Sequence, residues 1–170
     1  NIVGQTWLTA LKNYADDGVV IFAISNDENA TLAGLMEALP QFESDLLYGW
    51  LAVGNSVPIF DDNGVSGVAG RVSAPCLQAA AWCLMADGYW TGASSASNTA
   101  YDSSYGSSYA APQVAGALAL LAEAFPTLTP HQLRARLLAS ADNTFTGFVS
   151  AGNADVIEGA GVFNHAYSLE

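Results

Sequence analysis

Apolar side chains recur at helical spacing over residues 5–15, where Trp7, Leu8, Leu11, Tyr14 and Ala15 mark an amphipathic helix. The helix runs into Asp16-Asp17-Gly18, a turn signal whose glycine suits a C-cap. Val19-Val20-Ile21-Phe22-Ala23-Ile24 follows at once. A short, continuous run of this kind, rich in β-branched residues, predicts a fully buried parallel strand. A helix joined so tightly to such a strand points to an α/β fold.

The pattern continues with a polar loop, Ser25-Asn26-Asp27-Glu28-Asn29, then a short helix over 31–39 stopped by Pro40, and a second apolar strand over 50–53. Residues 65–85 are strand-like and mixed, and they carry Cys76 and Cys83. Residues 91–107 are poor in apolar side chains and rich in Ser, Asn and Tyr, which predicts an exposed loop. Polarity then changes abruptly: 110–125 is nearly all Ala, Leu, Val and Gly, as in a helix buried on most sides. Thr129-Pro130-His131-Gln132 opens a further helix, with Thr as N-cap, Pro at the first position and Gln three residues on. Leu133, Leu137 and Leu138 give that helix a packing face, and the tail from Asn143 reads as irregular. There is no internal repeat and no linker, so this is one domain or part of one.

Composition narrows the partners. Of 170 residues, 51% are hydrophobic, and a domain of this length buries about 70% of its unfolded surface. Sixteen acidic residues against four basic ones give a formal charge of −12. That argues against nucleic acid, which needs clustered Lys and Arg, and against an anionic membrane surface. Acidic surfaces of this kind keep many secreted or salt-adapted proteins soluble. No membrane-spanning helix is expected, because 110–125 is broken by Pro112, Gln113 and Glu123. No signal peptide opens the chain, and Asn1 is not a natural start. A disulfide between Cys76 and Cys83 would close a short loop and suit an exported protein; two buried free thiols are the alternative. Without clustered histidines the cysteines make no zinc site. Asp61-Asp62-Asn63-Gly64 has the look of a calcium cluster, but this pattern is more often a tight turn between strands. No metal or other cofactor is assigned.

Candidate chemistry centres on Ser108. Gly106-Ser107-Ser108-Tyr109-Ala110-Ala111-Pro112 lies where a polar loop enters an apolar helix. A helix N-terminus offers unpaired N–H groups and a positive dipole end to a developing oxyanion. Gly106 lets the chain turn and substrate approach, Ala110 and Ala111 allow tight packing beneath the serine, and Pro112 is tolerated in a first turn. Taken alone, these features also describe an ordinary serine N-cap.

The longer pattern, Gly-Ser-Ser-Tyr-Ala-Ala-Pro-Gln-Val-Ala-Gly, resembles the nucleophile motif of the subtilisin-like serine peptidases. The resemblance makes Ser108 the nucleophile, with Gly106 and Ser107 beside the substrate. Val-Val-Ile-Phe-Ala-Ile-Ser-Asn, ending at Asn26, is similar to the strand that leads to the family's oxyanion-hole asparagine; Ser25 stands where glycine is usual. The resemblance implies that Asn26 and the Ser108 N–H are the oxyanion donors, within the C-terminal portion of a three-layer fold with a mainly parallel sheet and helices on both faces. Ala79-Ala80-Ala81-Trp82-Cys83-Leu84 further resembles bacterial autotransporter subtilases, which implies secretion or a cell-surface location; Ala86-Asp87-Gly88 stands where that group has Ala-Pro-Gly.

The family uses an Asp–His–Ser triad in that order. Both histidines here, His131 and His165, follow Ser108 and match no family base. The resemblance therefore implies that residues 1–170 are the C-terminal part of one peptidase domain, inactive alone on polypeptide substrates until an upstream segment supplies Asp and His. A non-catalytic pseudoprotease or protein-binding module is the alternative. An α/β-hydrolase esterase is a further one, disfavoured because 101–105 is no hydrophobic strand and Ala110 replaces the second glycine of the elbow.

Overall fold

The computed structural model describes residues 4–62 and 64–143. Helix α1 (Gln5–Asp17) leads into strand β1 (Val20–Ala23), a short helix α2 (Leu39–Phe42) and a 3-10 turn (Ser44–Gly49). Strands β2 (Trp50–Asp61) and β3 (Gly64–Arg71) follow, then a second 3-10 turn (Leu77–Trp82) and β4 (Cys83–Asp87). The chain ends its described course with β5 (Tyr89–Ala93), β6 (Tyr101–Tyr105), α3 (Ser107–Ala124) and α4 (Pro130–Ala139).

Strand β2 organises the main sheet. It runs parallel to β1, with Val20 opposite Trp50 and Ala23 opposite Val53. It runs parallel to β4 as well, from Ala52 opposite Cys83 to Ser56 opposite Asp87. Its far end turns back antiparallel with β3, so the sheet is mixed. Because strand side chains alternate, β2 and β4 feed two cores. Trp50, Ala52, Cys83 and Met85 pack with Ala15, Leu39 and Leu46, and with Leu8 and Leu11 of α1. Leu51, Val53, Leu84 and Ala86 pack on the other side with Ala110, Val114 and Leu121 of α3 and with Leu133 and Leu137 of α4. Helices on both faces of the sheet make three layers, as expected for an α/β fold. All eight strand residues are fully buried, and each large one contributes about 1.5–3 kcal/mol of apolar transfer.

Several local expectations need correction. Gly18 ends α1 in extended backbone, φ −143° and ψ −178°, not in a left-handed cap. A Cβ there would lie 2.9 Å from the ring of Tyr14, an exposed side chain that can move aside, so neither that contact nor a left-handed conformation demands glycine at this position. Strand β1 is half-buried, not fully buried, because only β2 flanks it among the described residues. Pro40 lies in the first turn of α2 and opens that helix instead of stopping one; residues 31–38 form bends and turns. The apolar stretch 50–53 is only the start of β2. The expected loop over 91–107 is largely the antiparallel β5–β6 hairpin, exposed along nearly its whole length.

Helix α3 buries one stripe, not most of its surface: Ala110, Ala111, Val114 and Leu121 face the sheet while Leu120 is 58% exposed. Pro112 sits inside the helix, a turn beyond its start, so the Ser108 carbonyl lacks its i+4 donor. Other readings hold. Cys76 and Cys83 form a disulfide, with Cα atoms 6.0 Å apart. Asp61 pairs with Gly64, so the acidic stretch is the β2–β3 turn; Asn63 within it lies outside the described residues. Thr129 and Gln132 make a full capping box on α4. The tail 144–170, with His165, lies outside the described residues.

Candidate active site

Strand β1 and helix α3 meet at their functional ends. The Ile24 N–H donates to the Val53 carbonyl and carries the chain out of β1 toward Asn26. Asn26 Oδ1 accepts a 2.9 Å hydrogen bond from the Ser107 N–H, across 81 residues of sequence. Ser107 Oγ donates to the Ile24 carbonyl and lies 3.1 Å from Asn26 Oδ1. An N–H can only donate, so the atom facing Ser107 is oxygen, and the Asn26 amide NH₂ is left on the other side. Asn26 is exposed, and no protein acceptor meets its NH₂ among the described residues.

Gly106, with φ +148°, lets the chain leave β6 and enter α3 at this angle. A Cβ at Gly106 would lie 3.3 Å from Asn26 Nδ2, so the asparagine amide rests directly against that glycine. The first N–H groups of a helix have no intrahelical acceptor. Here Asn26 takes that of Ser107, and the Gly106 carbonyl accepts those of Tyr109 and Ala110 at 3.0 and 3.3 Å. The Ser108 N–H is the one left without an acceptor among the described residues, and the Ser108 side chain is exposed. One solvent-facing hydroxyl therefore stands at a positive helix end, with two open donors in the same neighbourhood. Ser107 is different: it is 1% exposed, and its N–H and hydroxyl face Asn26 and Ile24.

Two supports escaped the sequence reading. The first is Gly88, whose carbonyl accepts the Gly106 N–H at 3.1 Å and whose own N–H donates to buried Asn55 Oδ1 at 2.8 Å. A Cβ at Gly88 would fall 2.4 Å from the Gly106 carbonyl oxygen, so the glycine in Ala86-Asp87-Gly88 is the member of that turn which the site needs. The second is Glu37, a buried carboxylate that accepts the N–H of Ser25 at 2.6 Å and of Gly34 at 2.7 Å. Its partners are backbone groups, which leave no trace in composition or spacing.

His131 Nε2 lies 2.7 Å from the Ala15 carbonyl at the end of α1, and its ring lies near Tyr48, which makes it a packing residue. Tyr101–Tyr105 forms strand β6 where a loop was expected, but it is not the hydrophobic strand that a nucleophile elbow needs. It is exposed and antiparallel to β5, unlike the buried strand beneath a nucleophile elbow. Among the described residues no helix is long and apolar enough to cross a membrane.

Comparison with solved structures gives the same architecture. The prenylagaramide maturation protease PagA superposes with a TM-score of 0.70 at 23% identity, over 98% of this chain and 56% of that one. Fervidolysin from Fervidobacterium pennivorans, a keratinolytic enzyme related to subtilisin, gives 0.65 at 22% identity, over 98% of this chain and 25% of its own. The subtilase cytotoxin SubAB assembly gives 0.67 at 16% identity, over 98% and 54%. This chain thus spans little more than half of PagA and less of fervidolysin. A search of curated protein sequences found no match. The model of the Subtilase family matches residues 3–161, which takes in β1, the Asn26 loop and the whole α3 entry. A match over nearly the whole chain, which includes the meeting of Asn26 with the Ser107-Ser108 helix start, places the chain in the subtilase family.

Proposed function

We propose that the chain is the nucleophile-bearing C-terminal part of a serine endopeptidase domain that works through an acyl-enzyme at Ser108. The observation that carries this reading is the Asn26–Ser107 hydrogen bond, which sets an asparagine NH₂ and the Ser108 N–H at the same helix end. Ser108 Oγ attacks the scissile carbonyl, and the carbonyl oxygen becomes an oxyanion between these donors. They act on charge that exists only in the transition state. Gly106 keeps the approach open, while Ser107 holds Asn26 in place and does not itself meet substrate.

A base must take the serine proton, and an aspartate must orient that base. In this reading both come from a segment of the same protein upstream of Asn1. Two surfaces support the assignment. The edge of β1 opposite β2 is unpaired among the described residues, and a cleft of about 390 Å³ beside it is lined by Tyr14, Val19, Ile21, Leu118, Ala119 and Leu133. The outer face of α3, including Ala115, Ala119, Leu120 and Ala122, is apolar yet exposed. Secretion fits the disulfide and the acidic surface.

The test is hydrolysis of an unstructured polypeptide such as casein by the protein with its upstream sequence restored. Activity that is abolished by Ser108→Ala, and absent from residues 1–170 alone, is the expected result. Full activity of the Ser108→Ala protein would refute the assignment.

A further inference from the structure

We propose that Glu37 is a positioning residue for Asn26, fixing through the backbone where the asparagine amide points. The inference deepens the peptidase reading and rests on it.

Glu37 is 5% exposed, yet among the described residues no cation lies against its carboxylate: both oxygens are engaged by backbone N–H groups, Oε1 by Ser25 and Oε2 by Gly34. Hydrogen bonds to an ionised acceptor are stronger than neutral ones, and a buried carboxylate is costly unless satisfied in this way. The carboxylate therefore ties the start of the Ser25-to-Gly34 loop to its end. Ser25 is held from the other side too, because its carbonyl accepts the Ala74 N–H at 2.7 Å. Asn26 follows a residue whose N–H and C=O are both pinned. Glu37 is anchored in turn, since its carbonyl accepts the Trp82 indole N–H at 2.9 Å, next to the Cys76–Cys83 bridge. Asn26 itself is exposed, and among the described residues its side chain is held by Ser107 alone, so the direction of its NH₂ depends on the backbone that delivers it.

Two substitutions probe the carboxylate differently. Glu37→Gln keeps the shape but turns one acceptor into an NH₂ that meets a backbone N–H. Gly34→Ala leaves the charge intact but puts a Cβ 3.3 Å from the Glu37 carboxyl carbon and Oε1, so the group must shift by a few tenths of an ångström against its donors.

The experiment is a double-mutant cycle on the protein with its upstream sequence, measuring kcat and KM separately, with thermal melting beside them. Glu37→Gln and Gly34→Ala are each expected to lower kcat about tenfold with KM changed less than twofold. In an Asn26→Ala background the same substitutions should leave kcat unchanged, because residues acting through one another are not additive. Additive loss in that background, or a fall in melting temperature with kcat intact, overturns the proposal while leaving the peptidase reading standing. Full kcat in Asn26→Ala alone overturns both. If Glu37→Gln does not fold, Gly34→Ala decides by the same criteria.

Discussion

Asn26 Oδ1 and the Ser107 N–H, far apart in the chain, are joined by a 2.9 Å hydrogen bond that fixes which end of the asparagine amide faces solvent. The bond divides one side chain: its oxygen clamps the end of β1 to α3, and its NH₂, which the proposed function uses as an oxyanion donor, meets no protein acceptor among the described residues. Those two roles are separable by substitution.

Asn26→Asp keeps an oxygen for Ser107 and removes the donor. In the protein with its upstream sequence, melting temperature should stay close to wild type while kcat falls about 10²–10³-fold, as for loss of one oxyanion-hole donor. Asn26→Ala should lose a similar factor in kcat and some stability as well. Steady-state kinetics with calorimetry on both variants checks the separation.

Gly106 and Gly88 should be intolerant for different reasons. Gly106→Ala forces a side chain onto φ +148°, at a cost of about 1–3 kcal/mol. Gly88→Ala has ordinary backbone but would place its Cβ 2.4 Å from the Gly106 carbonyl oxygen. That clash should cost at least as much and displace the entry to α3. Urea denaturation of both variants measures the losses.

Cys76 and Cys83 close a short loop, with a sequence separation of 7. Loop-closure entropy for a bridge of this size is worth about 2 kcal/mol. A thiol titration of the denatured, unreduced protein should find no free thiol, and the double Cys→Ser variant should unfold at correspondingly lower urea. The bridge also brackets Trp82, so reduction is expected to loosen the Glu37 anchor.

Lys12 lies 2.7 Å from Glu43 and 3.0 Å from Asp45. Its hydrogen bond to Glu43 first, and to Asp45 second, raises its pKa above the ordinary 10.5. A raised pKa on a cation gives stability that is present below 10.5 and lost as pH rises through the folded value. Lys12→Met should therefore be less stable than wild type at pH 7 to 9, and the gap should close in more alkaline solution. Because the pair is on the surface, high salt should shrink the gap as well.

The legible parts of this chain were those whose signal is local. Thr129 and Gln132 sit three residues apart and cap one helix, so spacing alone predicts the box. The Ser108 segment combines a glycine, a small-residue first turn and a change of polarity within one stretch. The β5–β6 hairpin was not legible because both its faces are exposed, which removes the alternation that marks a strand. It is held instead by backbone pairing and by contacts such as Thr91 with Ser103 at 2.7 Å. Helix α3 looked buried on most sides because it is apolar on most sides; composition reports what a surface is made of, not what covers it. Glu37 left no signal in the sequence, since its partners are N–H groups that every residue but proline carries.

The most direct measurement is covalent capture of the nucleophile. A fluorophosphonate reacts only with a serine that is activated and reachable, and Ser107 and Ser108 are adjacent in sequence but opposite in exposure. The protein with its upstream sequence should take up one equivalent of probe, mapped by peptide mass spectrometry to Ser108 and abolished by Ser108→Ala but not by Ser107→Ala. Labelling that persists in Ser108→Ala, or maps to another residue, would contradict the assignment of Ser108 as the nucleophile.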